Sequence, residues 1–230
     1  MIARPDGPEP MPETRWATPV RLPRRGLIGL LAGGALSAGL PLPAAAGFPP
    51  GSDVAGDLPP LAFTMRRSSD GKRVTEADYR GDVVVLYFGF TRCPDVCPLT
   101  IHNMAEILRR MGQSAGRMRV LFVTVDPAHD TLPRLKRYLA RFGSPPEIDG
   151  LRGSSVELAA LAKRYFVQYR APAGPESPDP VSAITHTSYV YAFGPHGRVR
   201  DLLAGVGGPG VDFAAMAMGF DRLAQTAGGS

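Results

Sequence analysis

Asp82-Val-Val-Val-Leu-Tyr-Phe-Gly-Phe90, followed at once by Thr91-Arg92-Cys93-Pro94-Asp95-Val96-Cys97-Pro98, decides the fold class. The first stretch is a near-continuous apolar run between Gly81 and a proline-flanked cysteine loop, the pattern of a strand buried on both faces, so a central strand is expected there. From Pro98 to Met111 the residues Leu99, Met104, Ile107, Leu108 and Met111 recur at helical spacing, and Gly112 follows as a stop. A second buried strand is expected over 119–126. A helix over about 131–142 begins beside Asp130, a candidate N-cap, and ends at Gly143; another over 155–166 opens with the capping box Ser154-x-x-Glu157. Upstream, residues 61–65 and 73–75 flank Ser69-Asp70-Gly71, where Asp-Gly marks a hairpin turn. Downstream, 188–193 and 198–202 flank Gly194-Pro-His-Gly197 as a second hairpin, with a closing helix near 211–224. Strands alternating with helices, bracketed by two hairpins, give an α/β fold with a mixed sheet.

The rest of the chain bounds the function. Its 230 residues suit one domain with an appendage, and 44% hydrophobic content can furnish a core. The 26 Lys and Arg exceed the 21 Asp and Glu, but five arginines and three acids lie before residue 47, which leaves the globular part a surplus of only three. Without a dense basic run, nucleic acid is not expected as a partner. Residues 1–46 read as an export signal: Arg24-Arg25 precede an apolar, small-residue segment that ends in Ala44-Ala45-Ala46, a cleavage-site pattern, and the paired arginines favour the twin-arginine route. The alternative is a retained anchor, since 26–47 is about as long as a bilayer span, although Gly33-Gly34, Pro41 and Pro43 interrupt it. Either way the globular part, 61–230, reached through a Gly/Pro-rich linker at 47–60, is expected in the periplasm or on the outer face of the cytoplasmic membrane.

The two cysteines, Cys93 and Cys97, are the only ones in the chain and sit four residues apart. A pair that close cannot staple distant parts of a fold, so it reads as a metal clamp, a redox couple, or both. It lies between a buried strand and a helix, where α/β proteins bind ligands and where unpaired helix N–H groups are expected to favour thiolates. Two thiolates leave a metal site incomplete, and the candidate third ligands are His102, His129, His186 and His196. His196 falls in a hairpin turn and His102 on the helix after the motif. His129, in Asp126-Pro-Ala-His-Asp130, is a reserve; His186, in Ile184-Thr-His-Thr-Ser-Tyr189, precedes an apolar strand that can neighbour the cysteines.

Over about residues 60–223 the sequence resembles the Sco (SenC) copper chaperones of cytochrome c oxidase assembly. Gly89-Phe-Thr-Arg-Cys-Pro-Asp-Val-Cys-Pro-Leu-Thr100 is similar to the family's Cys-Pro-x-x-Cys-Pro signature, Asp126-Pro-Ala-His-Asp130-Thr131 to its Asp-Pro-x-x-Asp-Thr loop, and His186 stands where the family has a single late histidine. The resemblance implies a thioredoxin-like fold, copper bound by Cys93, Cys97 and His186, and an outer-shell or partner-docking role for Asp130. It also implies a cytochrome c oxidase copper-site subunit and a thiol reductant protein as partners. Thr185 stands where many members carry an acid, so a carboxylate that would orient the histidine is missing. The donor set agrees with this: thiolates select Cu(I), an imidazole makes Cu(II) tolerable, and a structural zinc would ask for a fourth ligand. An alternative function is thiol–disulfide exchange with Cys93 and Cys97 as attacking and resolving thiols, and in an oxidising compartment the metal-free pair is expected to close a disulfide.

Overall fold

The chain enters the described region, residues 58–143, 145–170 and 188–225 of a computed structural model, through a β-hairpin. Strands β1 (Thr64–Arg67) and β2 (Arg73–Thr75) pair antiparallel with Met65 opposite Val74. Gly71, at φ 72°, makes the turn and donates its N–H to the Arg67 carbonyl at 2.9 Å. The expected first strand is shortened at its start, because Leu61 bonds outside the hairpin, to the Gly197 carbonyl at 2.7 Å. A short 3₁₀ turn over Glu76–Tyr79, capped by Thr75 and Asp78, leads into the apolar run.

That run is β3 (Val83–Gly89), and all seven of its residues are buried. It pairs parallel along its whole length with β4 (Met118–Thr124) and antiparallel on its other side with β6 (Val190–Phe193), so neither edge meets solvent. Each large side chain buried in this way contributes about 1.5–3 kcal/mol relative to exposure. Between the parallel strands runs α1 (Val96–Met111), which buries Cys97, Ile101, Met104, Ile107, Leu108 and Met111 on one face and ends at Gly112, φ 59°. It starts earlier than the apolar spacing predicts, so Cys97 lies inside its first turn.

Helix α2 (Leu132–Ala140) follows β4. Its N-cap is Thr131, whose hydroxyl accepts from Arg134 N, and not Asp130, whose carboxylate is engaged elsewhere. Strand β5 (Ile148–Arg152) is the one strand that the sequence pattern concealed. Its Ile-Asp-Gly-Leu-Arg is neither apolar nor alternating, because Asp149 serves as an acceptor for Ser68 Oγ and Ser69 N while Gly150 lets α2 approach: a Cβ there would lie 3.1 Å from that of Leu135. The capping box Ser154/Glu157 opens α3 (Ser155–Arg164) as expected. A hairpin of β6 and β7 (Val199–Leu203) and helix α4 (Phe213–Gln225) complete the fold.

The strand order is β2-β1-β5-β4-β3-β6-β7, with β3, β4 and β5 parallel and the flanking pairs antiparallel. This is the mixed α/β sheet the sequence implies. All described residues belong to the unit Pro43–Ser230. No described helix is long and apolar enough to cross a membrane. The export segment 1–46, most of the linker, and His186 lie outside the described residues.

Candidate metal centre

Strand β3 delivers the chain to the cysteines at the carboxyl end of the parallel strands. Gly89 is required at that end: a Cβ would come within 2.6 Å of the Phe122 ring and 3.1 Å of Cys97 Sγ. Cys97 is fully buried against this strand end and Cys93 is partly exposed. Asp95, the N-cap of α1, makes no side-chain cap; instead the Cys97 N–H donates to Cys93 Sγ at 3.4 Å, so a sulfur satisfies the helix terminus. Both residues are thiols, and no disulfide joins them in this structure.

The proton balance differs from the expectation that the helix start favours both thiolates. Hydrogen bonding to Cys93 and burial push the Cys97 thiol well above the ordinary thiol range, opposed by the Tyr87 hydroxyl beside it. A second sulfur in contact and burial of the thiol outweigh the helix terminus. Buried Tyr87 is raised likewise, by desolvation first. Two sulfurs held in contact, one buried and one partly exposed, are a soft donor pair to which a thiophilic cation can bind with release of protons.

The loop carrying Cys93 is clasped from behind. Asp130, with no exposed surface, accepts from Thr91 N at 3.0 Å, Thr91 Oγ1 at 2.5 Å and Thr124 Oγ1 at 2.7 Å. Beside it, buried Asp126 takes Arg92 Nη2 at 2.8 Å and His129 Nδ1 at 2.8 Å. The Asp126–Asp130 segment is thus a buckle between β4 and the cysteine loop, and Asp130 is too deep to touch a partner, which removes the docking half of its expected role. On the other flank, the loop after β7 presses on the first turn of α1. A Cβ on Gly207 would lie 2.5 Å from Thr100 Oγ1 and 2.8 Å from the Val96 carbonyl, while Asn103 Nδ2 holds the Val206 carbonyl at 2.7 Å.

The structure therefore brings Cys93 and Cys97 together and sets three histidines apart from them. His102 is exposed on α1. His196 sits in the β6–β7 turn, next to the Pro195 carbonyl that bonds Gly81 N, at the opposite end of β3 from the cysteines. His129 is committed to Asp126, and among the described residues no three His, Cys, Asp or Glu side chains converge into a metal cage. Sequence reasoning did not find Thr91, Thr124, Tyr87 or Gly207. The only signal for the first two was an aspartate repeated at a four-residue spacing, with nothing to say what its carboxylates would hold.

A model of the SCO1/SenC family matches residues 62–217. The chain belongs to the SCO1/SenC family. It is 37% identical over 133 residues to the SCO2 homolog, mitochondrial, of Bos taurus, a match covering 57% of this chain and 48% of that protein. To the SCO1 homolog, mitochondrial, of Homo sapiens it is 34% identical over 133 residues, covering 57% of this chain and 43% of that one. The chain thus matches about half the length, or less, of these relatives. Among solved structures it is similar to Bradyrhizobium japonicum ScoI with copper bound, with TM-score 0.62, 29% identity, and 71% of this chain and 98% of that chain covered. It is also similar to yeast Sco1 with copper bound, with TM-score 0.60, 29% identity, and 75% and 91% covered. The fold of this SCO1/SenC chain is thioredoxin-like, with its cysteine loop at the carboxyl end of the interior strand.

Proposed function

We propose that this SCO1/SenC-family protein is an exported copper metallochaperone. It binds copper, as Cu(I) or Cu(II), through Cys93, Cys97 and His186, and assists assembly of the dinuclear copper site of cytochrome c oxidase. The observation that carries the reading is the pair of sulfurs held in hydrogen-bond contact by a buckled loop, in a family whose members include the copper-bound proteins named above. The donor chemistry fits the ion: two thiols are soft ligands, and one imidazole extends the set toward Cu(II). His186 is supported by chain reach. Strand β6 begins at Val190, opposite Tyr87 and antiparallel to β3, and the four residues back to His186 span at most about 14 Å. The acceptor is a cytochrome c oxidase copper-site subunit, and a thiol reductant protein keeps the pair reduced. The protein works in the periplasm or on the outer face of the cytoplasmic membrane, freed from or held by residues 1–46.

When bound, copper would take both sulfurs as thiolates. The chain's own part is to keep the two sulfurs adjacent, to hold the Cys97 proton until a cation displaces it, and to leave Cys93 open to an incoming ligand. The same contact would let the pair act as a thiol–disulfide oxidoreductase, with Cys93, the more exposed sulfur, attacking and Cys97 resolving. His186→Ala separates the two functions. It should abolish Cu(II)–thiolate absorption and oxidase maturation while the dithiol stays oxidisable and reducible, whereas Cys93→Ser and Cys97→Ser abolish both. Full oxidase maturation by His186→Ala would move the oxidoreductase reading ahead.

A further inference from the structure

Tyr138 of α2 carries a hydroxyl that the fold leaves without a partner. The residue is 5% exposed, and its Oη is buried with no hydrogen-bond partner among the described residues. Burying an unbonded hydroxyl costs stability, and phenylalanine would fill the same space without that cost. Two other core tyrosines show how such a group is ordinarily satisfied. Tyr165 Oη donates to the Pro60 carbonyl at 3.0 Å, and Tyr191 Oη donates to the Tyr165 carbonyl at 2.9 Å.

Packing accounts for the Tyr138 ring and not for its oxygen. The ring lies against Phe122 of β4 at 5.6 Å and against Phe142 at 5.4 Å, with the Arg141 guanidinium 5.9 Å over it. A phenylalanine would make all three contacts. The oxygen therefore answers to an acceptor that the metal-free state lacks.

The side chain leads toward the cysteines. A long side chain on a helix leans to the helix N-terminus, and α2 begins just after Asp130, which holds the cysteine loop through Thr91. Phe122, on which Tyr138 stacks, meets the same spot as the buried sulfur: a Cβ on Gly89 would lie 2.6 Å from Phe122 Cε2 and 3.1 Å from Cys97 Sγ. Electrostatics agree with this placement. Burial raises the Tyr138 phenol above its ordinary value, and negative charge on Cys97, on Cys93 and on Asp130 raises it further, against Arg141. The hydroxyl thus lies in the field of both sulfurs and keeps its proton, which makes it a donor. A protonated thiol offers that donor only a weak acceptor. The thiolate that remains when a metal replaces the proton is a strong one.

We propose that Tyr138 is a positioning residue for the metal-loaded state, its hydroxyl donating to the Cys97 sulfur once a soft cation has displaced the thiol proton. This rests on the metallochaperone reading for the ligand pair and adds a donor that the reading does not contain. Tyr87 already stands beside Cys97 in the thiol state. Tyr138 has no hydrogen bond to give up, so its whole contribution falls on the state in which the sulfur carries charge. A donor fixed in advance where charge develops favours that state without further reorganisation.

The test compares the reduced full chain with its Tyr138→Phe variant, using Ag(I), a soft ion that takes thiolates as Cu(I) does. Without metal, Tyr138→Phe should unfold about 2–10 °C above wild type, because an unbonded buried hydroxyl is gone. Loaded with Ag(I), the order should reverse, and the variant should yield Ag(I) to a competing chelator about tenfold more readily. A side chain with only a packing role would shift both melting curves the same way. Tyr191→Phe, which removes a hydroxyl already bonded in the metal-free state, should unfold lower than wild type with and without Ag(I) and keep its Ag(I) affinity. Equal Ag(I) affinity in wild type and Tyr138→Phe would overturn the proposal. So would a lower unfolding temperature for metal-free Tyr138→Phe, since the hydroxyl would then already have an acceptor. Copper uptake is measured separately on wild type: Ag(I) binding without copper binding would overturn the metallochaperone reading and leave the role of Tyr138 standing.

Discussion

Asp130→Asn isolates what the buried carboxylate does for the cysteine loop. Three neutral donors meet that carboxylate, and two of them belong to Thr91. Hydrogen bonds to a charged acceptor are worth about 1.5–3 kcal/mol each against about 1 kcal/mol for neutral pairs, so neutralising the acceptor costs roughly 2–5 kcal/mol over three bonds. The amide adds a difficulty, since its NH₂ group replaces one acceptor and the Thr91 N–H cannot turn round to accommodate it. Set against this, an amide is cheaper to bury than a charge by a few kcal/mol. The balance is a net destabilisation of about 1–3 kcal/mol, or roughly 3–10 °C in Tm for a domain of this size. Thermal unfolding of the reduced, metal-free protein, followed by circular dichroism, measures it, and copper affinity should weaken alongside because Thr91 leads directly into Arg92 and Cys93. Asp130→Ala, which leaves all three donors without an acceptor, should cost more. An asparagine variant with wild-type Tm and wild-type copper affinity would refute the buckle. One with wild-type stability but impaired docking to the acceptor would restore the partner-contact role that burial argues against.

Gly207→Ala should lower Tm by the equivalent of about 1–3 kcal/mol and weaken copper binding, because its methyl overpacks the first turn of α1; Gly116→Ala, with open space around it, should do neither. The Cys97 proton makes stability depend on pH in a definite direction. The folded, metal-free state raises this thiol above its ordinary value of 9.0, so the contribution is complete below that value and is lost as pH rises beyond it. The urea midpoint of the reduced protein should therefore be lower at about pH 10 than at about pH 8, a slope that Cys97→Ser lessens while the buried tyrosines supply the rest; equal slopes in the two proteins would contradict the assignment. If residues 1–46 are removed on export, the mature protein loses Trp16, its only tryptophan, and should emit as tyrosine alone; tryptophan emission from the protein recovered from the cell envelope would count against cleavage.

The interior of the fold was legible because it is written in burial. Two short runs rich in valine and aromatic residues read as strands covered on both faces, and a helix joins them if they are parallel. The capping box at Ser154 and the Asp-Gly turn were readable for the same local reason, each satisfying its backbone groups within a few residues. Strand β5 was not, because its pairing depends on neighbours far away in sequence. Ser68 supplies a donor to Asp149, and Leu135 demands that residue 150 be glycine. The site divides along the same line. Two cysteines at a strand–helix junction announce themselves, whereas the carboxylate that holds their loop lies 39 residues from Thr91 and looked like a helix cap. The proton on Cys97 was misjudged because helix position was visible in the sequence, whereas the hydrogen bond with Cys93 and the burial of the thiol were not.

One consequence follows from the bond between the Cys97 amide and Cys93 Sγ. The atom that caps the helix is also the atom through which the pair reacts. Oxidation to a disulfide draws electron density from that sulfur and weakens the acceptor on which the first turn relies, whereas coordination exchanges the thiol proton for a metal, leaves a thiolate and strengthens it, so the chemical state of Cys93 becomes a mechanical state of the helix end. Amide exchange at Cys97 would report it, slowest when the sulfur is a metal thiolate and fastest in the disulfide, and a partner that reads the firmness of that turn would know whether a delivery is on board.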